Sequence, residues 1–152
     1  MKKFFLFLMA TGIMISCTEQ TFKSVIEKAP IDALMATWEN TWNHQDSVGF
    51  KNQFTENALL IDDNLIAIGT DQINTKFIRA FINVVTNIRD VKLKDWSTND
   101  MAGYTGTYSL EVVVNNQVVD RGTGAVTINW MKTEKGEWKI TTAVIHSFPF
   151  AK

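Results

Sequence analysis

The last third of the chain constrains the fold most. Residues 91–148 run almost unbroken through types that favour extended backbone, interrupted only at short turns. The pattern predicts strands at 91–98, 104–114, 118–132 and 138–148. Asn115-Asn116 and Glu134-Lys135-Gly136 separate the later ones, and such residues accept tight-turn backbone. Successive strands joined this closely pair antiparallel.

What precedes them is mainly helical. Pro30 stands where a helix can begin, and Ile31, Leu34, Met35, Trp38 and Trp42 then recur at steps of three and four, one helical stripe. The polar run 43–47 ends it, and Asp46 is placed to cap a short second helix through Phe50 to Phe54. Two short apolar runs flank Asp63-Asn64, a hairpin signal. Thr70 or Asp71 then caps a further helix carrying Ile73, Phe77, Ile78, Phe81, Ile82 and Val85. Helices, a hairpin, another helix and a four-strand meander make an α+β layout. The expected architecture is a strongly bent antiparallel sheet wrapped over the N-terminal helices and enclosing a cone.

At 152 residues there is room for one domain. The formal net charge is −1, and no basic stretch exceeds Lys2-Lys3, so a nucleic-acid surface has no electrostatic basis. That lysine pair precedes an apolar run from Phe4 to Ile15. As a helix, twelve residues would rise about 18 Å, well short of roughly 30 Å of hydrocarbon, so the run reads as a secretory signal. The only cysteine follows at once, in Met14-Ile15-Ser16-Cys17. This resembles a bacterial lipoprotein lipobox, with Met where Leu is usual. An ordinary signal peptide that happens to precede a cysteine is the other reading. The expected division is a signal peptide at 1–16, a lipidated tether at 17–29 and one domain at 30–150. The expected address is the bacterial cell envelope, lipid-anchored through Cys17 at the periplasmic face or the outer membrane.

Several segments together carry a wider likeness. They are Trp38 and Trp42 followed by Asp46; Phe54 and Ala58 before the hairpin; and Gly69 with Ile73 and Phe77. Further on come Gly103-Tyr104-Thr105-Gly106-Thr107-Tyr108, Gly122-Thr123-Gly124 leading to Trp130, and Lys135-Gly136-Glu137-Trp138-Lys139-Ile140 before Val144-Ile145-His146-Ser147. In this order the chain resembles the nuclear transport factor 2-like superfamily, cystatin-like in fold, nearest its SnoaL-like and calcium/calmodulin-kinase-association-like branches. The resemblance implies a pocket between sheet and helices, and a homodimer through the outer face of the sheet. It implies no single activity, because the superfamily holds isomerases, dehydratases and cyclases beside members that only bind or assemble.

Chemistry of the isomerase or cyclase kind needs a base beside the reacting carbon and donors for the developing oxygen charge. By strict alternation of the last strand, His146 shares a face with Trp138, Ile140, Thr142 and Val144 and points inward as the leading base. Its alternatives are pocket lining without chemistry and a purely structural role. Tyr104 and Tyr108 share an inward face and serve either as donors or as amphipathic wall residues. Asp62 lies at the pocket rim or in solvent, and Asp63 is most simply a turn former. Trp38, Trp42, Phe54, Trp130, Val144 and His146 are the expected pocket residues. The inward strand faces are otherwise read as Val, Leu and Ile, without acids. Two histidines in no ligand spacing give a metal nothing to bind, and no cofactor fingerprint occurs. The expected function is therefore a non-catalytic pocket for a small apolar molecule or peptide. A proton-transfer enzyme using His146 and a structural dimerisation module are the alternatives.

Overall fold

A computed structural model describes residues 28–149. The signal peptide, Cys17 and nearly all of the tether lie outside the described residues.

Helix α1 (Ile31–Asn43) starts at Pro30 and buries Ile31, Met35, Trp38 and Trp42, the stripe its spacing predicts. Asp46 caps α2 (Ser47–Lys51), its Oδ1 accepting the Gly49 N–H at 2.8 Å. Strands β1 (Phe54–Asp62) and β2 (Leu65–Ile68) form the hairpin, with Asp63 in the left-handed region at φ 47°. A continuous helical stretch follows: α3 (Thr70–Gln72), a π-helix (Ile73–Ile78) and α4 (Arg79–Phe81). Widened π turns of this sort recur beside functional sites. The chain then enters β3 (Val85–Ser97), β4 (Met101–Val114), β5 (Gln117–Lys132) and β6 (Trp138–Ser147).

The α+β class stands, with two corrections of detail. The six strands lie in the order β2-β1-β6-β5-β4-β3, and β1 pairs with β6 in parallel, so the sheet is mixed rather than antiparallel. No hairpin joins those two strands, and so nothing in their connection fixes their sense. The second correction concerns β3, which begins at Val85 and not at residue 91. Helix α1 holds that early start in place. Trp42 Nε1 donates to the Val85 carbonyl at 3.1 Å, and the Asn43 amide exchanges two hydrogen bonds with the Ile88 backbone, at 2.9 and 2.8 Å.

Helices and π turn pack on one face of the sheet around an aromatic cluster. Phe50 is fully buried, with its ring centroid 4.5 Å from that of Trp38 and 4.7 Å from that of Trp42. Phe77 closes the group 5.2 Å from Trp42. Beneath them Leu60, Ile128, Trp130, Ile140 and Ala143 complete the core.

One irregularity decides which side chains face inward. Along β6 the pairing with β5 passes from Trp130↔Ile140 to Asn129↔Thr142, so Thr141 is an extra residue, a β-bulge. An odd insertion exchanges the faces of everything beyond it. Ile140 is buried before the bulge; after it Ala143 is buried, while Val144 and His146 turn outward.

Candidate functional site

A hollow of about 180 Å³ lies between the helical layer and the sheet. It exceeds the cavity of about 150 Å³ that takes up benzene in an engineered protein, so a molecule of one ring with a short substituent fits. Trp38 and Trp42 from α1, and Phe77 and Phe81 from the π turn and α4, supply its aromatic walls. Aliphatic wall comes from Val85 and Ile88 of β3, Leu110 of β4, Val126 of β5 and Ile145 of β6. Four polar residues reach the same space: Asp62, Asp90, Tyr108 and Ser147.

Each polar group has a positional cause. Asp62 ends β1 and pairs with Ile145 of β6, inside the sheet. Asp90 and Tyr108 are register partners across β3 and β4, so their side chains stand side by side on the inner face. On the other side Tyr108 pairs with Gly124, where any Cβ would run into the tyrosine ring. The glycine is thus the room in which the phenol lies. Ser147 reaches the hollow because the Thr141 bulge has reversed the faces, and its Oγ lies 3.3 Å from the Tyr108 hydroxyl.

Burial dominates the electrostatics. The Asp62 carboxyl is pushed up to about 6, first by burial and then by the neighbouring charge of Asp63. Asp90 is pushed up to about 7, first by burial and then by Glu39. Neither buried Asp90 carboxyl oxygen meets a donor from another group, but the Glu39 carboxyl lies within hydrogen-bond reach and can share a proton with it, and the Asp90 backbone N–H donates to Glu39 Oε1 at 2.7 Å. Tyr108 is raised chiefly by burial. Tyr104 rises to about 12 by burial, with Asp90 and Glu39 adding to it. Just outside, Asp63 moves the other way. Its Oδ1 accepts the Ser147 N–H at 3.0 Å and lies 3.0 Å from His146 Nδ1, and these contacts hold its carboxyl low.

Of the residues singled out from sequence, Trp38, Trp42, Tyr108 and Asp62 line the hollow together. Phe54, Trp130 and Tyr104 are buried core residues and are not among its lining. Val144 and His146 face outward, with 68% of the His146 side chain exposed, which corrects the inward reading. The bulge at Thr141 is the physical reason. The reading of inward strand faces without acids is corrected too, since Asp90 lines the hollow. It is in phase with buried Ile88, a signal that becomes visible once the strand is begun before residue 91. Among the described residues, no group of three or more His, Cys, Asp or Glu is arranged to hold a metal ion.

No family model matches the sequence, and no curated protein does. Solved structures do resemble the fold. A ketosteroid isomerase-like protein from Erwinia carotovora atroseptica superposes with a TM-score of 0.67 at 13% identity, covering 79% of this chain and 95% of its own. A conserved protein from Planctomyces limnophilus gives 0.70 at 12% identity, over 79% and 94% of the two chains. A nuclear transport factor 2-like protein with a cystatin-like fold from Novosphingobium aromaticivorans gives 0.62 at 13%, over 80% and 81%. The chain therefore has the nuclear transport factor 2-like, cystatin-like fold.

Proposed function

We propose that the hollow binds a small, mostly apolar molecule bearing one polar group, in a protein held at the bacterial envelope through a lipidated Cys17. One observation carries the first half: four aromatic rings and five aliphatic side chains surround a space into which Asp62, Asp90, Tyr108 and Ser147 project. Apolar walls with a few placed polar groups are the usual build of small-molecule sites. The size favours a small molecule over a peptide segment. Lys2-Lys3, the apolar run after them and Met14-Ile15-Ser16-Cys17 support the anchor. A homodimer through the outer sheet face belongs to the same reading, supported by exposed Val91 on β3 and Val144 on β6.

Native mass spectrometry of the full chain purified from bacterial membranes tests the binding. The expected result is a retained small molecule, lost when Leu110→Trp fills the hollow. A chain that is empty before and after the substitution, although folded by circular dichroism, refutes the reading. Labelling with radioactive palmitate, abolished by Cys17→Ala, tests the anchor.

A proton-transfer enzyme is the second reading, and Asp62 rather than His146 favours it. A carboxyl raised to about 6 beside an apolar space is mostly ionised at neutrality yet more basic than a free carboxylate, and can take a proton from carbon next to a carbonyl. Deuterium wash-in at that carbon of a bound ketone, absent in Asp62→Asn, is the expected sign of turnover.

A further inference from the structure

The sheet is open, so β2 and β3 are edges, each a row of backbone groups that another strand can pair with. Side chains of the helical layer meet both. At β2, Lys76 Nζ donates to the Ile66 carbonyl at 3.2 Å, and the Ile68 N–H donates to Gln72 Oε1 at 3.4 Å. At β3, α1 takes outward groups of Val85, Ile88 and Asp90 in turn, through Trp42, Asn43 and Glu39. Beyond Asp90 this cover stops. Lys92 is held by the side chains of Asp32 and Asp95, at 2.8 and 2.9 Å, and covers no backbone.

The turn after β3 fixes which groups are left bare. The Thr98 N–H donates to the Met101 carbonyl at 2.7 Å, so Thr98 and, two residues back, Trp96 bond across to β4. Antiparallel alternation then turns the N–H and C=O of Asp95 and Ser97 outward. Among the described residues, no hydrogen bond from α1 or its approach meets that backbone. The same two residues line an open groove of about 640 Å³, facing residues 28–33 at the start of α1. Lys28 belongs to its wall, so the chain enters the domain inside this groove.

We propose that the segment before Lys28 completes the edge: Val25-Ile26 lies along Asp95–Ser97 as a short added strand. Its own connection delivers it there, at an effective concentration that a separate partner does not match. Val25 and Ile26 are β-branched, in a run from Thr18 to Lys28 that is polar apart from them and Phe22. Side chains of adjacent strand residues point to opposite faces. One of the pair therefore packs on Trp96, which lies over Gly103 on the outer face and is 45% exposed. The other goes beneath the first turn of α1, toward Ile31. One consequence rests on the reading of Cys17 as the lipid anchor. Seven residues, 18–24, then span from Cys17 to the sheet edge, at most about 25 Å where ten would reach about 36 Å. Docking thus holds the domain closer to the bilayer.

Amide hydrogen exchange of the full chain in detergent micelles reads the docking residue by residue. The Asp95 and Ser97 amides are expected to exchange about tenfold more slowly than in Val25→Pro/Ile26→Pro, whose prolines have no N–H to give and do not continue a ladder. The Trp96 amide, bonded to β4 in either case, is the control for an intact strand. Equal exchange at Asp95 and Ser97 in the two proteins overturns the proposal. Slow exchange that survives the prolines and fades on dilution gives the edge to a second copy, and overturns it too. Palmitate labelling keeps the two readings apart. A wild type that is labelled but unprotected rejects the docking and leaves the anchor standing. One that is protected but unlabelled rejects the anchor, and the limit on reach with it, and leaves the docking standing.

Discussion

Asp62 and Asp63 are joined by one peptide bond, and the protein treats them as opposites. Asp62 completes β1 and faces the hollow, where burial raises its carboxyl to about 6. Asp63 begins the turn at positive φ and faces outward, where the Ser147 N–H and His146 hold its carboxyl low. The two sit on either side of the rim between an apolar interior and solvent. What distinguishes them is the donors each can reach, since intrinsic acidity is the same for both. The same contrast extends along the sheet: inside are Asp90 and Tyr108, and outside are His146 and Val144.

The largest expected effect tests the apolar side of this contrast. Trp42 is 2% exposed, touches Phe50 and Phe77, and donates its indole N–H to the start of β3. Trp42→Ala removes a wall of the hollow and a tether of the strand that carries Asp90. Chemical denaturation is expected to show a loss of about 3–5 kcal/mol. A loss under about 1 kcal/mol would mean that the aromatic cluster is not what holds α1 to the sheet.

The next effect has the opposite sign and depends on pH. Asp90 stays protonated in the fold up to about 7, whereas in the unfolded chain it ionises from 3.8. Between those values the unfolded state loses its proton and the folded state does not, so stability falls across that window and stays lower above it. Asp90→Asn removes the penalty. It is expected to stabilise the protein by about 2–4 kcal/mol in mild alkali and by little in acid below the unfolded value. Asp62→Asn follows the same sign over a narrower window ending near 6, with about 1–2 kcal/mol of gain. Thermal unfolding of both variants across pH measures this. A destabilised Asp90→Asn in alkali would mean that the ionised form has donors after all.

Much of this was legible in the sequence, and the failures have physical causes. Helical spacing placed Trp38 and Trp42 on the buried stripe because a regular helix repeats without exception over its length. Alternation placed Tyr108 inward because β4 runs in phase from Tyr104 through Leu110. The same rule failed on β6, where Thr141 inserts one residue with no marker of its own, neither glycine nor proline, and reverses the faces. It failed again at the start of β3, where the apolar Val84-Val85 continues a helical spacing while Trp42 and Asn43 pull the chain into the sheet. Asp90 was hidden by that second failure. Its environment is built by contacts between residues more than forty apart, and no local pattern encodes them.

The smallest expected effects lie outside the rim. The pair between His146 and Asp63 is exposed, and exposed ion pairs contribute about 0–1 kcal/mol. Asp63 is held below its usual range, so what it contributes is present above the unfolded value and is lost as acid protonates the folded form. His146→Ala is therefore expected to move stability by less than about 1 kcal/mol and to leave ketone binding in the hollow unchanged. This variant nonetheless decides a structural point that larger effects cannot reach. If Thr141 is the bulge, Ser147 faces the hollow and His146 does not; if β6 runs unbroken, the two exchange places. Loss of ketone binding in His146→Ala, with Ser147→Ala silent, would put the histidine inside and remove the bulge. Silence in His146→Ala, with weakened ligand binding in Ser147→Ala through the freed Tyr108 hydroxyl, would fix the register that sets Asp62 apart from Asp63.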